Sequence, residues 1–255
     1  MKYLLTIAYD GRNYCGYQVQ KNGVSIQEML GRAAERVFGV SCAITGCSRT
    51  DSGVHARDFK ATLVPDEGAN GIPTDKIPTV MNVALPDDIA VLSAVAVEES
   101  FHPRYDVVWK EYVYTIHNHR ARDPFLVGRT WHIPRRLDEA IMQEAATAFL
   151  GTHDFSSLMA AGSDVVDPVR TIYRCDVIRN GDTVTVSVSG DGFLYHMVRI
   201  LVGTLVAVSE GKLLPEDIPA ILASRDRLRA GMTAPAAGLC LNRVSYLPIG
   251  KEEAL

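Results

Sequence analysis

The sequence is poor in cysteine, and its few cysteines show no grouped spacing. They are odd in number and no two form a C-x-x-C pair, so the sequence predicts neither a disulfide framework nor a zinc site. This usage is typical of proteins from a reducing cytoplasm. The cysteines are Cys15, Cys42, Cys47, Cys175 and Cys240.

Long apolar runs are lacking as well. No stretch reaches the roughly eighteen uncharged apolar residues that a transmembrane helix needs. The apolar run near the start, at residues 4–7, is followed by Asp10 and is too short for a signal peptide. We therefore expect a cytoplasmic protein that has no membrane partner.

Several common catalytic signatures are absent. The sequence has neither G-x-x-x-x-G-K-[ST] nor G-x-G-x-x-G, which argues against nucleotide-binding loops of those kinds. It also lacks the H-x-E and P-C-x-x-C pair of zinc deaminases and the G-x-S-x-G turn of many hydrolases. Any chemistry must therefore rest on other residues.

Excess positive charge is missing from the chain as a whole, whose formal net charge is −4. The charges are unevenly distributed, however. Residues 60–99 hold two basic and seven acidic residues, whereas residues 101–140 hold seven basic and five acidic residues and four histidines. The second stretch either presents a positive face to a polyanion or is an ordinary solvated surface, and both interpretations are open.

What the sequence does contain is hydrophobic periodicity, which predicts the order β-α-β-β-α-β twice. Ser25 and Glu28 form a capping box at the start of the first helix, and Gly39 ends it. The first copy has predicted strands at Lys2–Tyr9, 42–47, 59–64 and Ile89–Val97, and helices at 26–38 and 74–84. The second has predicted strands at Trp109–His117, 171–179, 183–189 and 244–247, and helices at 137–150, 194–208 and, as an insertion, 215–224.

This repeated order predicts an α+β fold built from two ferredoxin-like (RRM-like) halves. We expect residues 1–103 to form the N-terminal half, which carries the catalytic loop. Residues 104–250 would form the C-terminal half with its inserted helix. The two antiparallel sheets would be joined side by side, with the active-site cleft between them.

The most informative stretch is residues 46–56, with the sequence Gly-Cys-Ser-Arg-Thr-Asp-Ser-Gly-Val-His-Ala. A strand ends here and Ser, Thr, Asp and Gly favour a tight loop. Arg49 and Asp51 are two residues apart, so in extended chain they point the same way. A carboxylate beside a guanidinium stays ionised, as a nucleophile or base must be. Alternatively, Asp51 merely makes the turn and Arg49 is its surface partner.

Two further residues are candidates on the second half. Arg199 is predicted to lie in the first turns of a helix, on one side with Tyr195 and His196, where the helix dipole favours anions. The simpler interpretation is a solvated arginine on an amphipathic helix. Tyr112 lies in a predicted strand, where tyrosines usually pack, although in a basic cleft it could stack on a base.

Spaced motifs along nearly the whole chain, from Lys2 to about Leu247, resemble the tRNA pseudouridine synthase A family. Several motifs in the right order are far more specific than a lone Arg-Thr-Asp. The main matches are Tyr9-Asp10-Gly11, Arg49-Thr50-Asp51 with Gly53-Val54-His55, Phe101-His102-Pro103-Arg104, Lys110-Glu111-Tyr112-Val113-Tyr114, Gly151-Thr152-His153-Asp154-Phe155, and Phe193-Leu194-Tyr195-His196-Met197-Val198-Arg199 with Gly203.

The resemblance implies an activity and roles for the candidate residues. Family members isomerise uridine to pseudouridine at positions 38 to 40 of the tRNA anticodon stem-loop, as homodimers and without metal or organic cofactor. Asp51 would be the essential aspartate and Arg199 its partner. Arg49 would hold the flipped nucleotide or its phosphate, and Tyr112 would stack on the uracil. The residues leave open whether Asp51 attacks C1′, adds to the ring or acts as a base.

Two other functions are weighed against the isomerase. A non-catalytic RNA-binding protein with paired RRM-like halves would usually carry an RNP stretch of the K/R-G-F/Y-G/A-F-V kind, which is absent. A ferredoxin-like metabolic or regulatory dimer that binds a small ligand would be indifferent to tRNA. Conversion of uridine in tRNA separates the first hypothesis from both.

Overall fold

The computed structural model describes residues 1–162 and 165–251. In these residues the α-helices are α1 (Ile26–Phe38), α2 (Ile77–Ala84), α3 (Glu139–Thr147), α4 (Met197–Ser209) and α5 (Asp217–Ser224). The strands are β1 (Lys2–Tyr9), β2 (Cys42–Gly46), β3 (His55–Pro65), β4 (Ile89–Val97), β5 (Trp109–His117), β6 (Trp131–His132), β7 (Gly151–Asp154), β8 (Val169–Asn180), β9 (Thr183–Gly190) and β10 (Leu239–Ser245). No helix within the described ranges is both long and apolar enough to cross a membrane.

The chain forms a mixed α+β fold with mostly antiparallel strands and divides into two compact units. The first unit is Met1–Val108 together with the chain from Leu241 onward, and the second is Trp109–Cys240. The chain passes from the first unit to the second after Val108. Strand β10 is divided between them, because Leu239 and Cys240 belong to the second unit and residues 241–245 to the first.

The first unit contains the predicted order of strand, helix, strand, strand, helix and strand. Its sheet has the strand order β4-β1-β3-β10, and β2 pairs with β3 as well. β1 alternates strictly, with Leu5 and Ile7 fully buried, because successive side chains point to opposite faces. The backbone N–H of Val244 in β10 donates to Asp58 Oδ2 in β3 at 2.9 Å.

Helix α1 begins and ends as its sequence predicts. The Ser25 hydroxyl accepts from the backbone N–H of Glu28 at 3.2 Å, and Gly39 adopts the left-handed conformation that ends the helix. Between these caps, Leu30, Phe38 and their apolar neighbours face the sheet and are buried. The first unit therefore has its own hydrophobic core.

The second unit has the strand order β5-β9-β8-β7, and the short strand β6 runs parallel to β5. Strands β8 and β9 form the predicted hairpin, in which Asn180 pairs with Thr183 across a two-residue turn. Tyr114 and Phe149 are fully buried in the core of this unit.

Helix α4 differs from its prediction in two ways. It begins at Met197 rather than Leu194, because His196 has a backbone φ of 62°, which an α-helix cannot contain. The helix is also buried on nearly every side instead of carrying one apolar stripe. A helix that is apolar all round belongs to a core, so the amphipathic interpretation is wrong.

Other boundaries shift by a few residues. Strand β3 begins at His55, before the expected Phe59, and β10 begins at Leu239 rather than residue 244. Helix α3 is shorter than expected because Asp138 caps it, accepting from the N–H groups of Ala140 and Ile141. Helix α5 begins at Asp217, two residues after the expected start.

Candidate functional site

Residues 48–54 connect β2 to β3 in the first unit, and we call them the aspartate loop. Their side chains alternate in exposure: Arg49 is exposed, Thr50 is 6% exposed and Asp51 is half-buried. Alternation of this kind follows from locally extended chain. The loop therefore turns Thr50 inward and leaves Arg49 and Asp51 as its accessible charged groups.

Thr50 anchors the aspartate loop to the last residue of β1 and to the segment that follows that strand. Its hydroxyl hydrogen-bonds the Tyr9 hydroxyl at 2.7 Å in a buried position, and its carbonyl accepts from the Tyr17 N–H at 3.1 Å. A Cβ atom on Gly16 would lie only 2.7 Å from the Thr50 carbonyl oxygen. Only glycine permits this approach, which brings the two backbones together.

The turn itself is closed by local hydrogen bonds. The Val54 N–H donates to the Asp51 carbonyl at 3.1 Å, and the Ser52 hydroxyl donates to the Tyr14 carbonyl at 3.1 Å. Asp51 thus sits at the first position of a bonded turn whose next residue is tied to a neighbouring segment. Backbone bonds on both sides of the carboxylate restrict its position.

His55 follows the loop and closes its far end. The Gly11 N–H donates to His55 Nδ1 at 3.2 Å, and Asp10 Oδ1 lies 3.2 Å from the same nitrogen. A nitrogen that accepts a hydrogen bond carries no proton, so the bond to Gly11 belongs to the neutral ring. The contact with Asp10 is an ion pair only when the ring is protonated.

Two buried tyrosines, Tyr14 and Tyr17, belong to the segment after β1 whose backbone contacts the aspartate loop. The Tyr17 ring stacks on Phe59 with ring centres 4.3 Å apart, and burial raises the pKa of its hydroxyl. Burial, and then a hydrogen bond to Asp88, raises the pKa of Tyr14. Both hydroxyls therefore stay protonated at neutral pH.

In the second unit, Tyr112 lies in the middle of β5, opposite Val188 of β9. Its side chain is 6% exposed and meets the Phe193 ring edge-on, with ring centres 5.2 Å apart and an interplanar angle of 89°. This is a favourable aromatic geometry. Packing is therefore one role of Tyr112, whatever else it does.

Arg199 occupies the first turn of α4 and is half-buried. Its side-chain Nε donates to the Ala234 carbonyl at 2.8 Å, and the Ala234 N–H donates to the Arg199 carbonyl at 3.1 Å. A guanidinium held in this way has a fixed direction. The interpretation of Arg199 as a freely solvated arginine is therefore wrong.

Residues 231–238, which we call the strap, hold this region in place. The Gly231 N–H donates to the Thr204 hydroxyl at 2.9 Å, and a Cβ on Gly203 would lie 1.8 Å from the Met232 carbonyl oxygen. The Tyr114 hydroxyl donates to the Pro235 carbonyl at 2.7 Å. One strap thus contacts α4 beside Arg199 and β5 two residues from Tyr112.

Sequence reasoning missed the strap. The available signal was Gly203 inside a helical pattern, since glycine in a helix interior usually has a packing reason. The sequence predicts that Tyr195 and His196 share one side of a helix with Arg199. This is wrong, because both residues precede α4. Their rings instead contact each other, with centres 3.9 Å apart.

The structure places the predicted residues as two pairs. Arg49 and Asp51 share the aspartate loop of the first unit, and Tyr112 and Arg199 belong to elements of the second unit that the strap joins. In residues 1–162 and 165–251, no group of three His, Cys, Asp or Glu side chains is arranged to hold a metal ion.

Comparison with known proteins adds a family match. A family model described as tRNA pseudouridine synthase matches residues 5–106 and 145–247, ranges that include Arg49, Asp51 and Arg199 but not Tyr112. A protein named tRNA pseudouridine synthase A from Moorella thermoacetica is 46% identical, over 95% of this chain and 98% of its own. Proteins of the same name are 44% identical in Ruminiclostridium cellulolyticum, over 96% and 99% of the two chains, and 42% in Thermoanaerobacter sp., over 95% and 98%.

Among solved structures, a chain from a Cbf5-Nop10-Gar1 complex matches with a TM-score of 0.38 and 13% identity, over 94% of this chain and 48% of that chain. A likeness this low carries no argument about the present fold.

Proposed function

The chain belongs to the tRNA pseudouridine synthase family, and from this membership we propose that it isomerises uridine to pseudouridine at positions 38, 39 and 40 of the tRNA anticodon stem-loop. Pseudouridine synthases are isomerases that act on uridine in RNA. The observation that carries the proposal is the anchored aspartate loop, which lies within the matched range and offers one half-buried carboxylate beside an exposed arginine.

Asp51 is the proposed catalytic residue. Its carboxylate is partly withdrawn from water, and the backbone on either side is fixed through Thr50 and Val54. Catalysis depends on holding a reacting group near its productive geometry, which these contacts favour. A nucleophile or base of this type must be ionised.

The reaction breaks the bond from N1 of uracil to C1′ of ribose and forms a bond from C5 to C1′, while C5 loses its proton and N1 gains one. No atom is gained or lost and nothing is oxidised, so the chemistry requires no redox or hydrolytic cofactor. The detached uracil must be retained while it rotates, which calls for contacts on its face and exclusion of water. A uridine in a stem must first be flipped out of its stack.

The other predicted residues are proposed to bind the substrate. Arg49 is exposed on the aspartate loop and would hold the flipped nucleotide or its phosphate. The aromatic ring of Tyr112 would stack on the uracil. The guanidinium of Arg199, which the strap orients, would bind the substrate. A guanidinium group can bind phosphate or carboxylate oxygens through two parallel hydrogen bonds, which the ammonium group of lysine cannot reproduce.

Further features follow from the family resemblance and remain proposals. They are the homodimer with tRNA spanning both subunits, the ferredoxin-like arrangement of each half, and the cytoplasmic location. The dimer can be tested directly by light scattering at concentrations used in the assay. A monomeric mass would contradict it.

The activity is tested by mapping pseudouridine in a transcribed tRNA that carries uridine at positions 38 to 40, without added cofactor. We expect the wild-type protein to convert these uridines. Asp51→Asn should lower turnover by about a thousandfold or more, because the amide can neither attack nor accept a proton at neutral pH. Affinity for the tRNA should be retained.

Asp75→Asn is the matched control, since it removes the same charge from an exposed ion pair with Lys76. It should leave turnover within about twofold of the wild-type value. Full turnover by Asp51→Asn would contradict the catalytic assignment. Binding of tRNA without any conversion by the wild-type protein would favour the non-catalytic RNA-binding hypothesis.

A further inference from the structure

Residues 118–136 of the second unit leave the sheet after β5 and return to it before α3, and we call them the arginine loop. All five of its arginines are exposed, against a single carboxylate, although the whole chain has a net charge of −4. That carboxylate, on Asp123, accepts from the Phe125 N–H at 2.9 Å and so caps a turn. The arginines are Arg120, Arg122, Arg129, Arg135 and Arg136.

Three of these arginines have side chains that form no polar contact within the described part of the chain. Within the described residues, the guanidinium groups of Arg120, Arg122 and Arg135 make no hydrogen bond or ion pair. Like charges brought close together repel one another and slightly destabilise the folded chain. An unpaired positive cluster is therefore better explained by an external anion than by the stability of this unit.

The base of the arginine loop is rigid. The Asn118 side chain donates to the carbonyls of Ile133 at 2.9 Å and Arg135 at 2.7 Å, and its oxygen accepts from the Leu137 N–H at 3.0 Å. Arg179 donates to the same oxygen at 2.8 Å. One buried amide thus ties together both ends of the loop, which restricts where the arginines can point.

A second attachment lies beside the first. Strand β6 pairs in parallel with the end of β5, and His132 contacts the His119 carbonyl at 2.8 Å through Nε2. Beyond these attachments, Phe125 is 90% exposed and Val127 is 63% exposed. Basic residues interleaved with an exposed aromatic ring are typical of surfaces that bind nucleic acid.

We propose that the arginine loop binds the phosphodiester backbone of the tRNA, as a contact additional to the residues that hold the reacting uridine. This inference rests on the proposed function, which supplies the polyanion. Guanidinium groups pair well with phosphate oxygens, and each such contact releases a condensed counterion. Contacts to phosphate fix the position of the RNA without reading its sequence. Residues 107–144 lie outside the ranges that the family model matches.

The test is the double substitution Arg120→Ala and Arg122→Ala in the full chain, with a transcribed tRNA that carries uridine at positions 38 to 40 as the probe. We expect Kd to rise about tenfold or more at about 0.1 M salt. The slope of log Kd against log salt should become shallower by about two, since each lost phosphate contact lowers it by about one. Turnover at saturating tRNA should be unchanged.

The matched control is Arg32→Ala with Arg36→Ala, which removes two exposed positive charges from α1. It should change Kd by less than about twofold. An equal loss in the control would overturn the inference, because net charge alone would then explain the effect. If the Arg120 and Arg122 variant kept the wild-type slope of log Kd against log salt, the inference would also be overturned. The arginine loop would then be assigned to a protein partner instead. If the wild-type protein failed to modify the tRNA, the proposed function itself would fail.

Discussion

The two regions that carry the candidate residues are held in place in different ways. The aspartate loop is fixed by its own turn, by Tyr9 at the end of β1, and by Gly16 and Tyr17 just after that strand. Arg199 and the neighbourhood of Tyr112 are fixed by the strap, whose anchoring residues come more than thirty positions after Arg199. Both regions combine hydrogen bonds with a close backbone approach, but the approach is tighter at the strap, where a Cβ on Gly203 would lie 1.8 Å from the Met232 carbonyl oxygen, against 2.7 Å between a Cβ on Gly16 and the Thr50 carbonyl oxygen.

This difference determines how each region should respond to mutation. Where several hydrogen bonds fix one segment, the loss of one bond leaves the others to keep the backbone in place. Where two backbones touch, a single added atom displaces a whole segment, because packed interiors cannot absorb the extra volume. Mutations at the strap should therefore lower stability and turnover more than mutations in the aspartate loop.

The largest effect is expected for Gly203→Ala. Its Cβ would lie 1.8 Å from the Met232 carbonyl oxygen, so the strap must move away from α4. We expect the free energy of unfolding to fall by about 3 kcal/mol and turnover to fall at least tenfold, because the Arg199 guanidinium loses its carbonyl partner. Chemical denaturation and the pseudouridine assay measure the two quantities.

Gly31→Ala is the matched control for that change. Gly31 also lies inside a helix, but its Cβ would meet nothing within 4 Å. Alanine there should stabilise the protein by about 0.5–1 kcal/mol, since glycine is a poorer helix former, and turnover should not change. Equal behaviour of the two alanine variants would show that the strap is not the fragile element.

A smaller effect is expected for Tyr112→Phe, which keeps the packed ring and removes only the hydroxyl. We propose that the Tyr112 hydroxyl contacts the substrate in addition to the ring, so turnover should fall about tenfold, while the free energy of unfolding changes by less than about 1 kcal/mol. Truncation to alanine is less informative than the sequence suggests. Because Tyr112 is buried against Phe193, Tyr112→Ala should also cost about 3–5 kcal/mol of stability.

Tyr114→Phe provides the contrast on the same strand face. Its hydroxyl donates to the Pro235 carbonyl in the strap, so its removal leaves a buried acceptor unpaired. We expect a stability loss of about 1–2 kcal/mol and a smaller change in turnover than for Tyr112→Phe. The reverse ranking would assign Tyr112 to packing alone.

The sequence predicts the aspartate loop better than the strap for a physical reason. Turn formation by Ser, Thr, Asp and Gly depends on residues next to one another, so residues 46–56 indicate both the turn and its charged groups. The same holds for α1, where Ser25 and Gly39 set the ends that the structure confirms. These features need no knowledge of distant partners.

Tertiary contacts explain what the sequence does not predict. The start of α4 depends on the backbone of His196, and the direction of Arg199 on Ala234, neither of which shows a local pattern. The start of β10 likewise depends on partner strands that are distant in the sequence, which the strand pattern alone cannot identify. Periodicity therefore does not predict the exact ends of helices and strands or their long-range contacts.

The smallest effect is expected in the aspartate loop, for Thr50→Val. Valine has the same shape but removes the buried hydrogen bond to Tyr9, so the Tyr9 hydroxyl loses a partner at a cost of about 1 kcal/mol. Turnover should fall only a few-fold, because the bonds to Tyr17 and Val54 still hold the backbone on both sides of Asp51. The double variant Tyr9→Phe with Thr50→Val removes both hydroxyls and should be more stable than Thr50→Val alone, since no hydroxyl then remains to be satisfied. A loss of turnover as large as that of Gly203→Ala would mean that this one bond, rather than the shared set, positions Asp51.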